Sequence, residues 1–248
     1  SPDGSHLEFS TYLGGTQNDI ITGIALDSVQ NIFITGYSSS TDFPLTSTAF
    51  DTPQFNEQSY QYDIFVSKLS PDARDLLYST MIGGENTDES SSIGIDTAGN
   101  MFITGYTRSI DYPVTDKKIT TQRDNMNAFI TCLSAQGDHL IYSYVIDSTF
   151  ESMGNDIKVD NHGNAFVCGY TYGHDLPITK GAYDIYSEAS SGLIYKTDGF
   201  GFLLDSFGRF LYATFLGGDE VTSPESILLI DTNDIWILGL TSSKEFPT

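Results

Sequence analysis

Residues 92–107 read SIGIDTAGNMFITGYT, and the text returns as GIALDSVQNIFITGYS from Gly23, DIKVDNHGNAFVCGYT from Asp156 and ILLIDTNDIWILGLT from Ile227. Two short apolar segments flank a D-x-x-G-N turn, Asp96 to Asn100 in one copy and Asp160 to Asn164 in another. In the first segment Ile24 and Leu26 point one way and Ala25 the other, the period of a strand. The matching columns read as Ile93 and Ile95, Ile157 and Val159, and Leu228 and Ile230. Gly99 and Gly163 supply the positive φ of a tight hairpin, and the Asp bonds its own turn backbone. The second segment, Ile32–Tyr37 and its copies, is apolar at nearly every position, so both faces of its sheet should be covered.

Working outward, three further blocks recur in the same order. One is FSTYLGG from Phe9, YSTMIGG from Tyr78, YSYVIDS from Tyr142 and YATFLGG from Tyr212. Another is TDFPLT from Thr41, IDYPVT from Ile110, HDLPIT from His174 and KEFPT from Lys244. The last is DIFVSKLSPDARDL from Asp63 and NAFITCLSAQGDHL from Asn127, with a looser GFLLDSFGRFL from Gly201. Gly36, Gly105, Gly169 and Gly239 mark steps of 69, 64 and 70 residues. A third strand carries Phe65, Val66 and Leu69, and a Ser70–Ala73 turn, echoed at Ser1–Gly4, leads to a fourth strand at Leu77–Ile82.

Helical periodicity is absent. An all-β unit of four short strands, buried on both faces and repeated in tandem, is a propeller blade. Parallel β-helices repeat every ~20–30 residues and lack this hairpin chemistry. The fold expected is an all-β β-propeller of four-stranded antiparallel blades, with about 3.75 blades (fifteen strands) in the chain. The units run 16–84, 85–148, 149–218 and 219–248, with 1–15 closing a preceding unit. On this count the chain is a segment of a longer polypeptide, cut mid-repeat at both ends. Trp236 falls in the column of Phe33, Phe102 and Phe166 and is expected in the core.

These three motifs, recurring at Phe9–Gly15, Gly23–Thr46, Tyr78–Thr115, Asp156–Thr179 and Tyr212–Thr248, resemble the SBBP family of bacterial β-propeller repeats. The resemblance covers essentially the whole chain. It implies seven-bladed-type propellers in extracellular, cell-surface or surface-layer-like proteins, often joined to adhesive modules, and it implies no enzyme activity and no site residues. The third unit departs from it with Asp147-Ser148 in place of two glycines, and the fourth with Asn233-Asp234 in place of Gly-Asn. The first two strands also resemble the NHL repeat, whose period is shorter and which lacks the Gly-Gly and Phe-Pro blocks.

Composition narrows the function. The 248 residues carry 33 Asp and Glu against 11 Lys and Arg, a net charge of −22. That balance repels phosphate backbones and anionic lipid, which argues against nucleic-acid binding and membrane-surface roles. No apolar run approaches the roughly 18–20 residues of a membrane span, so no membrane insertion is expected. Cys132 and Cys168 sit singly in apolar strands and read as buried, reduced hydrophobes.

Function, if localised, belongs on the face of the long connections: 38–62, 108–126 and 172–197 between strands two and three, and acidic loops 16–22, 85–92, 149–156 and 219–226. This face holds eighteen acidic residues (Asp19, Asp42, Asp51, Glu57, Glu85, Asp88, Glu89, Asp111, Asp116, Asp124, Glu151, Asp156, Asp175, Asp184, Glu188, Asp219, Glu220 and Glu225) and six basic ones. Solvated surface charge is the plain reading. Calcium is the one cofactor the acidity leaves open, although no D-x-[DN]-x-[DN]-G loop is present. The Asp before Pro (Asp42, Asp111 and Asp175, Glu245 in the fourth copy) reads as a cap on the turn at Pro44, Pro113 and Pro177 rather than a ligand. His6, placed at the start of an outer strand, and His139, His162 and His174 show no paired spacing. There is no G-x-S-x-G elbow, no P-loop, no sialidase box and one tryptophan only. Tyr37, Tyr106 and Tyr170 share one strand position and read as structural. Tyr60, Tyr62, Tyr183, Tyr186 and Tyr195, in Ser- and Gly-rich loops, suit protein or glycan contact. The expectation is a non-enzymatic structural or adhesive module, extracellular or at the cell surface, whose partners are other protein chains or further repeats of the same protein. The alternative is a carbohydrate- or protein-binding receptor domain using the long-loop face.

Overall fold

A computed structural model describes residues 3–51, 61–115, 125–146, 148, 150–189, 196–230 and 234–246. Glu57, Tyr60, Asp116, Asp124, Asp147, Tyr195 and Asn233, and the chain ends Ser1-Pro2 and Pro247-Thr248, lie outside the described residues. The described elements are fourteen strands. The first sheet is β1 (Asp19–Leu26), β2 (Ile32–Ser38), β3 (Asp63–Leu69) and β4 (Leu76–Ile82); the second is β5 (Asp88–Ile95), β6 (Met101–Thr107), β7 (Asn127–Leu133) and β8 (Leu140–Val145). The third is β9 (Ser152–Val159), β10 (Ala165–Thr171), β11 (Asp198–Leu204) and β12 (Phe210–Leu216), and β13 (Thr222–Leu229) pairs with β14 (Ile235–Thr241) alone. Every pairing is antiparallel between strands adjacent in the chain. The strands β1, β5, β9 and β13 pack against one another in succession, which makes them the innermost of their sheets.

The hairpins form for the reason their sequence suggests. Asp96 Oδ1 accepts the N–H of Ala98 (2.9 Å) and of Asn100 (2.8 Å), and its Oδ2 accepts from Asn100 Nδ2 (2.7 Å). Asp27 and Asp160 repeat the set on Asn31 and Asn164. Gly99 and Gly163 have φ of 86° and 79°, while the first copy puts Gln30 there at 68°.

The core lies between sheets. Phe33 shares a cluster with Ile93 and Ile103 of the next sheet, Phe102 with Ile157 and Phe200, and Phe166 with Ile227. Trp236 occupies the same column but is 65% exposed, which corrects its expected burial. The residues of this column face the following sheet, and no described residue stands on that side of β14. Ile24 and Leu26 are exposed at the opposite end, where among the described residues no sheet stands before theirs.

The fourth copy also corrects the register. Leu229 lies opposite Ile235 just as Leu26 lies opposite Ile32, so Ile227 and Leu229, not Leu228 and Ile230, occupy the inward column. Ile227 is 3% exposed and Leu228 57%. Ile230 donates its N–H to Asp234 O (3.0 Å), the place Asp27 takes toward Asn31 O (3.2 Å). Aligning the copies on Asp231 slips the strand by one residue, and a period of two turns that slip into an exchange of faces.

The first strands are longer than expected and absorb most of the acidic loops, leaving 83–87, 146–151 and 217–221 as the connections into strand one. Each carries a one-residue bulge, at Thr22, Ser91, Asn155 and Glu225. The bulge swings a carbonyl across the second strand. A Cβ on Gly36 would fall 1.9 Å from Ile20 O, and one on Gly105 2.0 Å from Glu89 O. The glycines that mark the repeat are thus the residues beneath the bulge.

The N-terminal block departs from expectation. The block Phe9–Gly15, aligned with the fourth strands, forms no strand, and His6, expected to start an outer one, lies in a bend. In the complete sheets the fourth strand pairs only with the third. Among the described residues no third strand stands beside residues 7–13, so no ladder forms there. Leu13 still packs onto Ile32, Phe43 and Phe65.

Candidate functional site

The long-loop face gathers the acidic residues, and its chemistry begins at the turn after each Gly-Gly. Three successive amides point inward there. Gly84 N–H donates to Asp88 Oδ2 (2.8 Å), Glu85 N–H to Asp111 Oδ1 (2.9 Å) and Asn86 N–H to Ser109 Oγ (2.9 Å). The first sheet repeats it: Gly15 to Asp19 (2.8 Å), Thr16 to Asp42 (2.8 Å) and Gln17 to Ser40 (2.9 Å). Successive N–H groups of this kind make a concavity suited to an anion, and here the chain's own carboxylates fill it.

This placement corrects the reading of Asp42 and Asp111. Each holds a loop 26 residues away rather than capping the turn of its own proline. The Thr16 N–H, then its hydroxyl, hold Asp42 below the usual carboxylate range. Asp88 is fully buried, and desolvation pushes it up to about 6 against the bonds from Thr107, Ser109 and Gly84. Asp198, at the start of β11, is likewise raised to about 6 by burial.

Asp156 does a different job near the axis. It accepts from Ser92 Oγ of β5 (2.6 Å), from Lys158 Nζ (2.6 Å) and from the Ile227 N–H of β13 (2.8 Å), so one carboxylate joins three sheets. Burial works to raise its pKa, but these bonds outweigh it and hold the group low. Neither this staple nor the role of Ser40 and Ser109 was found in sequence. The available signal was the Ser two residues past the second strand, in step with each Gly-Gly.

Among the described residues no group of three or more His, Cys, Asp or Glu is placed to hold a metal ion. Asp219 accepts from Ser243 Oγ (2.7 Å), Glu225 from Ser223 Oγ (2.6 Å), and Glu151 faces Arg108 at 3.8 Å. Asp27, Asp96 and Asp160 rim a depression of about 240 Å³ at the axis, on the short-turn face, each spent on its own hairpin. The histidines stand apart: His139 bonds Asp138 (2.7 Å) and His174 bonds Ser187 O (3.2 Å), while His162 lies 3.8 Å from Asp160. Cys132 and Cys168 are buried in different clusters without a disulfide, and burial pushes the Cys168 thiol up to about 12. Tyr37 packs edge-on against Tyr62, whereas Tyr183 and Tyr186 are exposed.

The family profile of the SBBP beta-propeller repeat matches residues 8–44 and 77–113. Over these two stretches the chain carries the SBBP repeat. No curated protein matches it. Both SBBP matches run from the fourth-strand block to the Phe-Pro or Tyr-Pro block, and each encloses one whole set of loop-holding side chains: Asp19, Ser40 and Asp42, then Asp88, Ser109 and Asp111. What recurs in the SBBP repeat of this chain is therefore the means of fastening a blade.

Proposed function

We propose that the chain is a non-enzymatic structural or adhesive β-propeller module of an extracellular, cell-surface or surface-layer-like protein. One observation carries this reading: the recurring polar side chains of the repeat, Asp19, Asp42, Asp88 and Asp111 among them, are spent on backbone amides of their own loops. A repeat built around a ligand would keep such groups for the ligand. The acidic exterior keeps such a module soluble. Its partners on this reading are other protein chains or further repeats of the same protein. The test combines a calcium titration of the melting temperature with protease shaving of intact source cells. The proposal expects no calcium dependence and release of propeller fragments from the cell surface. Fragments appearing only after lysis would overturn the placement.

A second reading, a carbohydrate- or protein-binding domain, is favoured by Tyr183 and Tyr186, which stand 65% and 72% exposed with Ile185 between them. Amphipathic aromatic rings on a loop suit glycan or protein contact. Binding on a glycan array that is lost in Tyr183→Ala would establish it.

A further inference from the structure

The fourth strands are the outermost of the three complete sheets, and among the described residues no strand pairs with their far edges. They read LLYSTMI at Leu76–Ile82, LIYSYV at Leu140–Val145 and FLYATFL at Phe210–Leu216. In a chain of net charge −22, none of the three holds a charged residue, a proline or a glycine. Short uncharged segments of high β-propensity at a sheet edge are templates for pairing with another chain. The usual protections are charges, prolines and bulges. Here a bulge marks only the start of each strand, at Leu77, Ile141 and Leu211.

The long connection of the same sheet covers the edge instead. Just past its proline, Thr46 donates its N–H to Ser79 O (3.1 Å), and Thr46 Oγ1 accepts from the Ser79 N–H (3.2 Å). The hydroxyl does what the carbonyl of a further strand would do. Thr115 grips Ser143 in the same way (3.1 and 3.0 Å), and Thr179 grips Ala213 (3.1 and 2.9 Å). The chain then turns, Ala49 N–H donating to Thr46 O and Ala182 N–H to Thr179 O, and meets the edge again two residues along. Met81 N–H donates to Asp51 O (3.5 Å) and Phe215 N–H to Asp184 O (3.1 Å). The amides of Asp51 and Asp184 donate in turn to Thr80 Oγ1 (3.0 Å) and Thr214 Oγ1 (2.9 Å). Ser79 and Met81, like Ala213 and Phe215, are alternate residues, so the strap takes two successive outward N–H groups of the edge. Its sequence is PLTSTAFD at Pro44–Asp51 and PITKGAYD at Pro177–Asp184. In the second sheet the position matching Asp51, Thr120, lies outside the described residues.

We infer that this Pro-x-Thr strap is an edge guard: it keeps the fourth strand of a blade from pairing with the fourth strand of a second copy. The strands it covers carry no charge of their own to repel a copy, so the two clamps of the strap do that work. The device goes beyond the structural reading above and holds wherever the module is displayed.

The test joins Thr46→Val to Thr179→Val, which keeps the shape of both side chains and removes the hydroxyls. Hydrogen exchange reads the edge amides, and sedimentation velocity reads association against the parent chain at equal concentrations. The Ser79 and Ala213 amides should exchange about three- to tenfold faster, each having lost one hydrogen bond. Association should begin at a concentration lower by at least about that factor, because more of the edge stands open. Thr46→Ser with Thr179→Ser keeps the hydroxyls and should match the parent in both readouts. Adding Leu77→Lys and Leu211→Lys, at exposed positions of β4 and β12, to the valine pair should return association to the parent's level. If the valine pair does not fold, each single valine variant carries the same comparison on its own sheet. Association unchanged by the valines, or undiminished by the lysines, overturns the proposal.

Discussion

Ser148 and Gly173 have exchanged the roles that Gly84 and Ser109 hold one blade earlier. A Cβ on Gly84 would lie 2.7 Å from the Ser109 Cβ, and one on Gly173 1.9 Å from Ser148 Oγ. The contact admits one side chain, and the third blade supplies it from the other partner. The departure of Ser148 from the Gly-Gly block is thereby compensated, and Ser148 Oγ lies 3.1 Å from Thr171 Oγ1.

Gly173→Ser should cost about 1–3 kcal/mol by overpacking this contact. Adding Ser148→Gly should recover most of the loss, because the pair then matches the second blade. Urea unfolding of the two single variants and the double variant measures the coupling. Strict additivity would show that the two positions are independent.

The register of β13 gives a sharp contrast between neighbours. Ile227→Asp places an unpaired carboxylate against Phe166 and Cys168 and should destabilise the chain by several kcal/mol, about 3 or more. Leu228→Asp, on the exposed face, should change stability by about 0.5 kcal/mol or less. Equal losses would mean that the register is wrong.

Gln30 holds φ +68° where the sister hairpins have glycine. A left-handed conformation is costly for a residue with a Cβ. Gln30→Gly should therefore raise stability by about 0.5–1 kcal/mol, less whatever the freer unfolded chain takes back. Gly99→Gln should lower it by a similar amount. Paired melts of the two variants decide it.

Stability should depend on pH in two opposed ways. Asp88, raised to about 6, binds its proton more tightly in the folded chain than the ~3.9 of an unfolded aspartate allows. Its contribution is present at acid pH and is lost as pH rises through about 6. Asp27, Asp156, Asp160 and Asp205 are held low, so theirs is present above ~4 and fades as pH falls below it. Calorimetry should find the highest melting temperature near pH ~4, where the low carboxylates have ionised and Asp88 still keeps its proton. Asp88→Asn should lessen the fall between pH ~4 and ~6, to which Asp198 also contributes, and a profile parallel to the parent there would rule Asp88 out as a source.

The repeat, the four-strand unit and the hairpin chemistry of Asp96, Gly99 and Asn100 were legible in sequence, because they rest on periods and bonds spanning a few residues. Their acceptors and donors lie within five positions of one another. The site was less legible. Asp42 could be named as a repeating carboxylate, but its partner Thr16 lies 26 residues away and is met only when the loop folds back over the sheet. The bulge that demands Gly36 could not be read from one strand, since it is a mismatch between two. Trp236 looks like Phe33 in sequence, but among the described residues no sheet covers it and it is exposed. Local backbone chemistry, carried by the sequence alone, determined what each strand and turn is. Which side chains are buried and which loop each carboxylate fastens were decided by the tertiary structure, because each depends on what a neighbouring sheet or loop places opposite.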